Sequence, residues 1–146
     1  MKLIINTDGG SRGNPGPSGI GVVFKNEQGL ITAEFKKYIG ETTNNQAEYR
    51  ALILALEEAI KISNDKFQIS NEKASLEIRM DSELIVRQMQ GRYKIKDQGL
   101  KPLAETVLKL CKNFANVNFI HVPRVQNSDA DRLVNEAIDL EMTKLN

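Results

Sequence analysis

Cysteine is nearly missing from this chain. Cys111 is the only one, so neither an intramolecular disulfide nor a cysteine-based zinc cluster can form, and in its apolar helical stretch it reads as inert packing. That usage points to a reducing, cytoplasmic setting. Long hydrophobic runs are missing too. No apolar segment approaches the roughly 20 residues that cross a bilayer, and no basic-then-apolar leader opens the chain, so a soluble, unprocessed protein with no membrane partner is expected. A charge excess of one sign is also lacking: 20 Lys plus Arg against 19 Asp plus Glu leave a net charge of +1, so the bulk charge does not advertise nucleic acid. The glycine-rich stretch NTDGGSRGNPGPSG (6–19) has no lysine, and neither G-x-x-x-x-G-K-[ST] nor G-x-G-x-x-G can be laid over it, which excludes the common phosphate cradles. No repeat, low-complexity tract or Pro/Ser-rich linker divides the 146 residues, and one domain covering 1–146 is expected.

What is present is a change of period along the chain. Residues 2–8, IGVVFKNEQG and LITAEFKKYIG read as three successive strands joined by short turns, which pair antiparallel. From Gln46 to Ile62 the spacing of Leu52, Ile53, Leu56, Ala59 and Ile60 predicts a helix, and TTNN ahead of it supplies good N-cap residues. SLEIRM (75–80) alternates as a strand, SELIVRQMQ is a short helix stopped by Gly91, and 99–113 is another helix. NVNFIHV (116–122) is a last strand, Pro123 a break, and 128–144 a helix with Leu133, Val134, Ala137 and Ile138 inward. The order β-β-β-α-β-α-α-β-α predicts an α/β protein with a mixed five-stranded sheet, its first three strands antiparallel, flanked by helices.

Ligands of such sheets gather near strand ends, and both Asp8 and Asp81 are placed at or one step past the end of a strand. Gly9 and Gly10 let something approach the backbone there. Taken singly, each acid has a bland reading as good as a functional one. Asp8 suits a turn, Glu48 a dipole-complementing surface acid, Asp81 an N-cap, and Asp129 and Asp131 first-turn acids. Between Arg87 and Lys101 the chain carries Arg87, Arg92, Lys94, Lys96 and Lys101 against the single acid Asp97, a stretch suited to a phosphate backbone or to a solvated helix end.

TDGGSRGNPGPSG, TTNNQAEYRAL, MDSELIVRQMQG and HVPRVQNSDADRLVN, in this order and spacing, resemble type 1 ribonuclease H over nearly the whole chain. The resemblance implies the ribonuclease H-like fold and a catalytic, metal-binding carboxylate set of Asp8, Glu48, Asp81 and Asp131, with Asp131 preferred to Asp129 because Leu133 follows two residues on. It implies an endonuclease that hydrolyses the RNA strand of RNA-DNA hybrids by two-metal catalysis, leaving 5′-phosphate and 3′-hydroxyl ends. Two carboxylates about 4 Å apart repel by roughly 4 kcal/mol at an effective dielectric of 20, so four that converge cannot all remain ionised without a cation. All-oxygen ligands, with one His and one Cys in the chain, favour Mg²⁺, or Mn²⁺, over zinc.

On the same resemblance Asn14 and Thr43 grip a DNA phosphate. The backbone of Gly9 and Gly10 and the side chains of Asn14, Asn44, Asn45 and Gln46 meet RNA 2′-hydroxyls, which distinguish RNA from DNA. Turn and cap chemistry explains the same residues and holds at the same time.

The sequence departs from the family at three places. Arg124 stands where relatives often carry a loop His thought to assist catalysis. Arginine attracts a phosphate but does not act as a general base, and the only His, His121, reads as a sheet residue. Glu83 replaces a common Gln. The basic helical protrusion of some relatives is shortened to GRYKIKDQG, where Arg92, Lys94 and Lys96 partly replace it and Tyr93 can pack on a sugar or base. With no separate hybrid-binding domain, a monomer of low processivity is expected. Double-stranded RNA is a further candidate substrate. The rivals are a hybrid-binding module without catalysis and another nuclease on the same fold, such as a junction resolvase or exonuclease.

Overall fold

The computed structural model describes residues 1–65 and 72–144. Three strands come first, β1 (Lys2–Ser11), β2 (Gly16–Lys25) and β3 (Ile31–Thr42), then helix α1 (Asn44–Asp65). Strand β4 (Ser75–Met80), helices α2 (Glu83–Met89) and α3 (Lys101–Cys111), strand β5 (Asn116–His121), a 3-10 turn over Arg124–Asn127 and helix α4 (Ser128–Thr143) complete the described chain. The sheet order is β3-β2-β1-β4-β5, with β1, β2 and β3 antiparallel and β4 parallel to both β1 and β5. The mixed five-stranded sheet is the one the changing hydrophobic period predicts.

Alternation along β2 divides the core between two faces. Val22 and Phe24 join Ile5, Leu52, Leu56 and Ile78 in the main cluster under α1, while Val23 packs with Ala130 and Leu133 of α4. The α4 face needs a residue without a side chain: a Cβ on Gly21 would lie 2.5 Å from the Ala130 carbonyl and 2.8 Å from Leu133 Cβ. Gly21 therefore lets the first turns of α4 lie flush on the sheet, and Gly21 pairs directly with Asp8. That close approach brings the turn bearing Asp131 to the same place.

Two expectations are adjusted. The inward stripe of α1 is Ala51, Leu52, Ala55, Leu56 and Ala59, all fully buried, with Ile53 and Ile60 flanking it half-buried. Alanines alternate with leucines along that stripe, and all of them are packed out of solvent. Strand β1 also runs on through Gly9, Gly10 and Ser11, so Asp8 is inside the strand. It still lies at a strand end in the sense that matters: pairing of β1 with β4 stops at Asn6↔Arg79, and Asp8 projects past that edge.

Candidate metal centre and nucleic-acid cleft

Three carboxylates meet at the end of the parallel strands. Asp8 comes from β1, Asp81 follows the last residue of β4, and Glu48 lies one turn inside α1. Each offers an oxygen within 4.8 Å of the others. Glu48 is not the surface acid its position allowed. It is 7% exposed, and its Oε1 accepts a hydrogen bond of 2.8 Å from the Gly9 N–H. Helical side chains lean toward the N-terminus, which carries its carboxylate back to β1. Asp81 is not the N-cap either, since Ser82 takes that place and its side chain accepts from the Ile85 N–H. Asp81 is thereby left to face the nest.

The nest is electrostatically costly by itself. Burial first, and then the charges of Asp81 and Asp131, push Asp8 up to about 8. Burial and the neighbouring Asp8 raise Glu48 well above the ordinary carboxylate range. Burial raises Asp81 as well, opposed by the Arg124 charge and by hydrogen bonding from Asn127. Asp8 and Glu48 face each other closely enough that each bears on the other's ionisation. An all-oxygen donor set of this kind, short of cationic partners, fits a hard divalent ion.

Asp131 lines the same cleft but lies outside the three-carboxylate group, with its side chain 37% exposed and 4.0 Å from the Arg124 guanidinium. Asp129 instead pairs with Lys25 at 3.4 Å. Arg124 opens the 3-10 turn and lines the cleft, 81% exposed. The cleft holds about 450 Å³. His121 ends β5 opposite Met80, as a sheet residue, 3.8 Å from the Glu83 carboxylate. Glu83 is largely exposed and is not part of the cleft lining.

The predicted strand-binding residues tie the β1-β2 hairpin to the start of α1. Asn14 Oδ1 accepts from the Asn44 N–H at 3.0 Å, Asn44 Oδ1 from the Ser11 N–H at 2.9 Å, and Thr43 Oγ1 from the Gln46 N–H at 3.2 Å. Gln46 Oε1 accepts from the Thr42 hydroxyl, and Asn45 beside it is half-buried. Gly9 and Gly10 have different tasks. Both line the cleft, but a Cβ on Gly9 would run into α1 at Ala47 and Glu48, whereas one on Gly10 would meet only Val134 Cγ1 at 3.6 Å. Arg92, Lys94 and Lys96 are exposed on the irregular segment between α2 and α3 and do not line the cleft.

Sequence reasoning missed Asn127, which is 1% exposed. Its Nδ2 donates to the Thr7 carbonyl at 2.9 Å, and its Oδ1 accepts from Asn6 Nδ2 at 3.0 Å. This pair bolts the start of α4 to β1 one turn ahead of Asp131 and adds a donor toward Asp81. The available signal was Asn6 itself, a polar residue inside the apolar run LIINTD, since a buried amide demands a partner.

Sheet order and acid-lined cleft together define the ribonuclease H-like class of α/β proteins. The family described as reverse transcriptase-like matches residues 6–137. The solved structure of LC11-RNase H1, isolated from compost by a metagenomic approach, in complex with an RNA/DNA hybrid, is 52% identical to this chain. It superposes with a TM-score of 0.86 over 96% of this chain and 99% of its own. Ribonuclease HI of Halobacterium salinarum is 42% identical over 132 residues, 90% of this chain and 62% of that protein. The bifunctional protein Rv2228c of Mycobacterium tuberculosis is 46% identical over 140 residues, and the match spans 95% of this chain but 36% of that relative's length. The chain belongs to the type 1 ribonuclease H family.

Proposed function

We propose that this protein is a monomeric, cytoplasmic endonuclease that hydrolyses the RNA strand of RNA-DNA hybrids, leaving 5′-phosphate and 3′-hydroxyl ends. The observation that carries the reading is the group formed by Asp8, Glu48 and Asp81, with oxygens within 4.8 Å of one another in an open cleft. A binding module gains nothing from crowded carboxylates facing phosphates, and a 52% identical relative holds an RNA/DNA hybrid. Asp8, Glu48, Asp81 and Asp131 would hold two Mg²⁺ ions, or Mn²⁺. Such a pair, when bound, compensates charge on the attacking and leaving oxygens of an in-line phosphoryl displacement.

The chain's own groups do the rest. Asp8 and Glu48, both raised by burial, would have to be ionised to hold a cation. Asn14 and Thr43 cap α1 and present its N-terminus to a DNA phosphate. Asn44, Asn45 and Gln46 with the Gly9 and Gly10 backbone line the side that meets 2′-hydroxyls, and Arg92, Lys94 and Lys96 extend the contact to phosphates further along. Arg124 draws a phosphate toward Asp131. A guanidinium does not act as a general base, so Arg124→Ala is expected to slow turnover about 10-fold while leaving the pH-rate profile near neutrality unchanged. Loss of an ionisation near pH 7 in the variant would contradict that role.

The deciding experiment is cleavage of labelled RNA-DNA hybrid, double-stranded RNA and four-way junction DNA, each with Mg²⁺ and with EDTA. Metal-dependent cleavage of the hybrid's RNA strand is expected. Hybrid cleavage that persists in chelator would overturn the mechanism, and cleavage of the junction alone would move the protein to another nuclease class. Tight hybrid binding with no cleavage in either condition would leave a binding module.

A further inference from the structure

The cleft continues beyond the carboxylates. Along β1 it passes Gly10 and Ser11 to Arg12, and along α4 it passes Asp131 to Asn135 and Ile138. Arg12 is four residues from Asp8, about 13 Å at an extended rise of about 3.3 Å per residue. One duplex step advances only about 3.4 Å along its axis, so this end of the cleft lies more than one nucleotide from the nest.

Arg12 reaches over to α4 with one nitrogen only. Its Nη2 lies 2.7 Å from Asp139 Oδ1, 3.3 Å from Asn135 Oδ1 and 3.4 Å from the Asn135 carbonyl. Among the described residues, Nε and Nη1 have no protein acceptor. A guanidinium fork with one edge free matches a phosphate diester in bidentate geometry. The Asp139 contact is easily exchanged, because both side chains are well exposed, at 42% and 63%, and such surface pairs contribute little. Arg12 and Arg124 are the basic side chains that line a cleft whose other charged side chains are acids. Arg124 stands beside Asp131, which leaves Arg12 to serve the other stretch.

We propose that Arg12 forms a second phosphate subsite, binding a backbone phosphodiester of the nucleic-acid strand beyond the one cleaved, with Asp139 holding the guanidinium in place until that phosphate replaces it. The proposal rests on the hybrid-nuclease reading above. The competing explanation is a plain strut between the hairpin turn and α4, and the two predict different signs.

The test compares wild type, Arg12→Ala, Arg12→Lys and Asp139→Asn for KM and kcat on a defined hybrid over a salt series, with thermal melting alongside. A phosphate subsite predicts that Arg12→Ala raises KM about 5-fold, leaves kcat within about twofold, and reduces the salt slope by roughly 0.7–0.9. Arg12→Lys falls between, since a point charge replaces the fork. Asp139→Asn lowers KM about twofold, because it frees the guanidinium and removes a competing anion. Unchanged KM and salt slope in Arg12→Ala would overturn the proposal. So would Arg12→Ala and Asp139→Asn shifting KM in the same direction with matching losses of melting temperature. Direct binding of a fluorescent hybrid, read by anisotropy in EDTA, separates this from the enzymatic reading. Wild type that binds in EDTA but does not cleave when Mg²⁺ is supplied would refute the nuclease reading, while Arg12 is still scored by its effect on that binding.

Discussion

Asp8→Asn is expected to reduce hybrid cleavage at least about 10³-fold, the scale on which groups acting as a catalytic unit fail. The same change is expected to stabilise the metal-free protein at pH 8. Asp8 has an ordinary value of 3.8 and is pushed up to about 8 in the fold, first by burial and then by Asp81 and Asp131. Between those values the native state keeps a proton that the unfolded chain has released. Its stabilising contribution is therefore complete below about pH 4 and is lost as pH rises through about 8. A neutral amide removes that dependence. With each pKa unit equal to about 1.4 kcal/mol and neighbours free to share the proton, the gain at pH 8 is expected to be about 1–3 kcal/mol. In a chain of this size that is roughly 3–9 °C in melting temperature. Melting curves in EDTA at pH 5 and pH 8 would read both effects. Wild type should lose stability toward pH 8 and regain it with Mg²⁺, and the variant should lose less, because only the part due to the buried Glu48 remains, and regain less. A variant less stable than wild type at pH 8 would show that the carboxylates do not repel as described.

Gly9→Ala is the other large effect. A Cβ at Gly9 would run into the Ala47 carbonyl and lie 2.6 Å from the Glu48 nitrogen, so it would push β1 and α1 apart at backbone level. Backbone atoms have no rotamer to escape into, and the expected loss is about 3 kcal/mol, toward the upper end of overpacking costs. Cleavage should fall with stability, because the hydrogen bond from Gly9 to Glu48 spans that same contact. Gly10→Ala is the control. Its Cβ meets only Val134 Cγ1 at 3.6 Å, an ordinary contact, and it should change stability by less than about 1 kcal/mol. Equal melting temperatures for the two variants would show that the strand and helix are not packed this closely.

These two expectations also mark where sequence reading succeeded and where it stopped. The glycine pair after the first apolar run signalled a close approach, but not that α1 was the approaching body at Gly9 and the cleft at Gly10. Glu48 in isolation looked like a dipole-complementing acid, and only the packing of α1 on β1 shows it turned inward. Asp131 was preferred to Asp129 through family resemblance, and the ion pair of Asp129 with Lys25 supplies a physical reason for that choice. Asn127 escaped notice because its partners, Asn6 and the Thr7 carbonyl, are more than a hundred residues away in the chain.

The sequence by itself determined the kinds of element and their order, since a period of two or of 3.6 is written into neighbouring side chains and needs no distant partner to be read. It also determined which residues could act, because chemistry follows residue type. Tertiary structure alone decided which of those residues meet. Strand pairing across some seventy residues sets Asp8 beside Asp81, a side-chain-free Gly21 lets α4 bring Asp131 near, and burial then raises the proton affinity of Asp8 and Glu48.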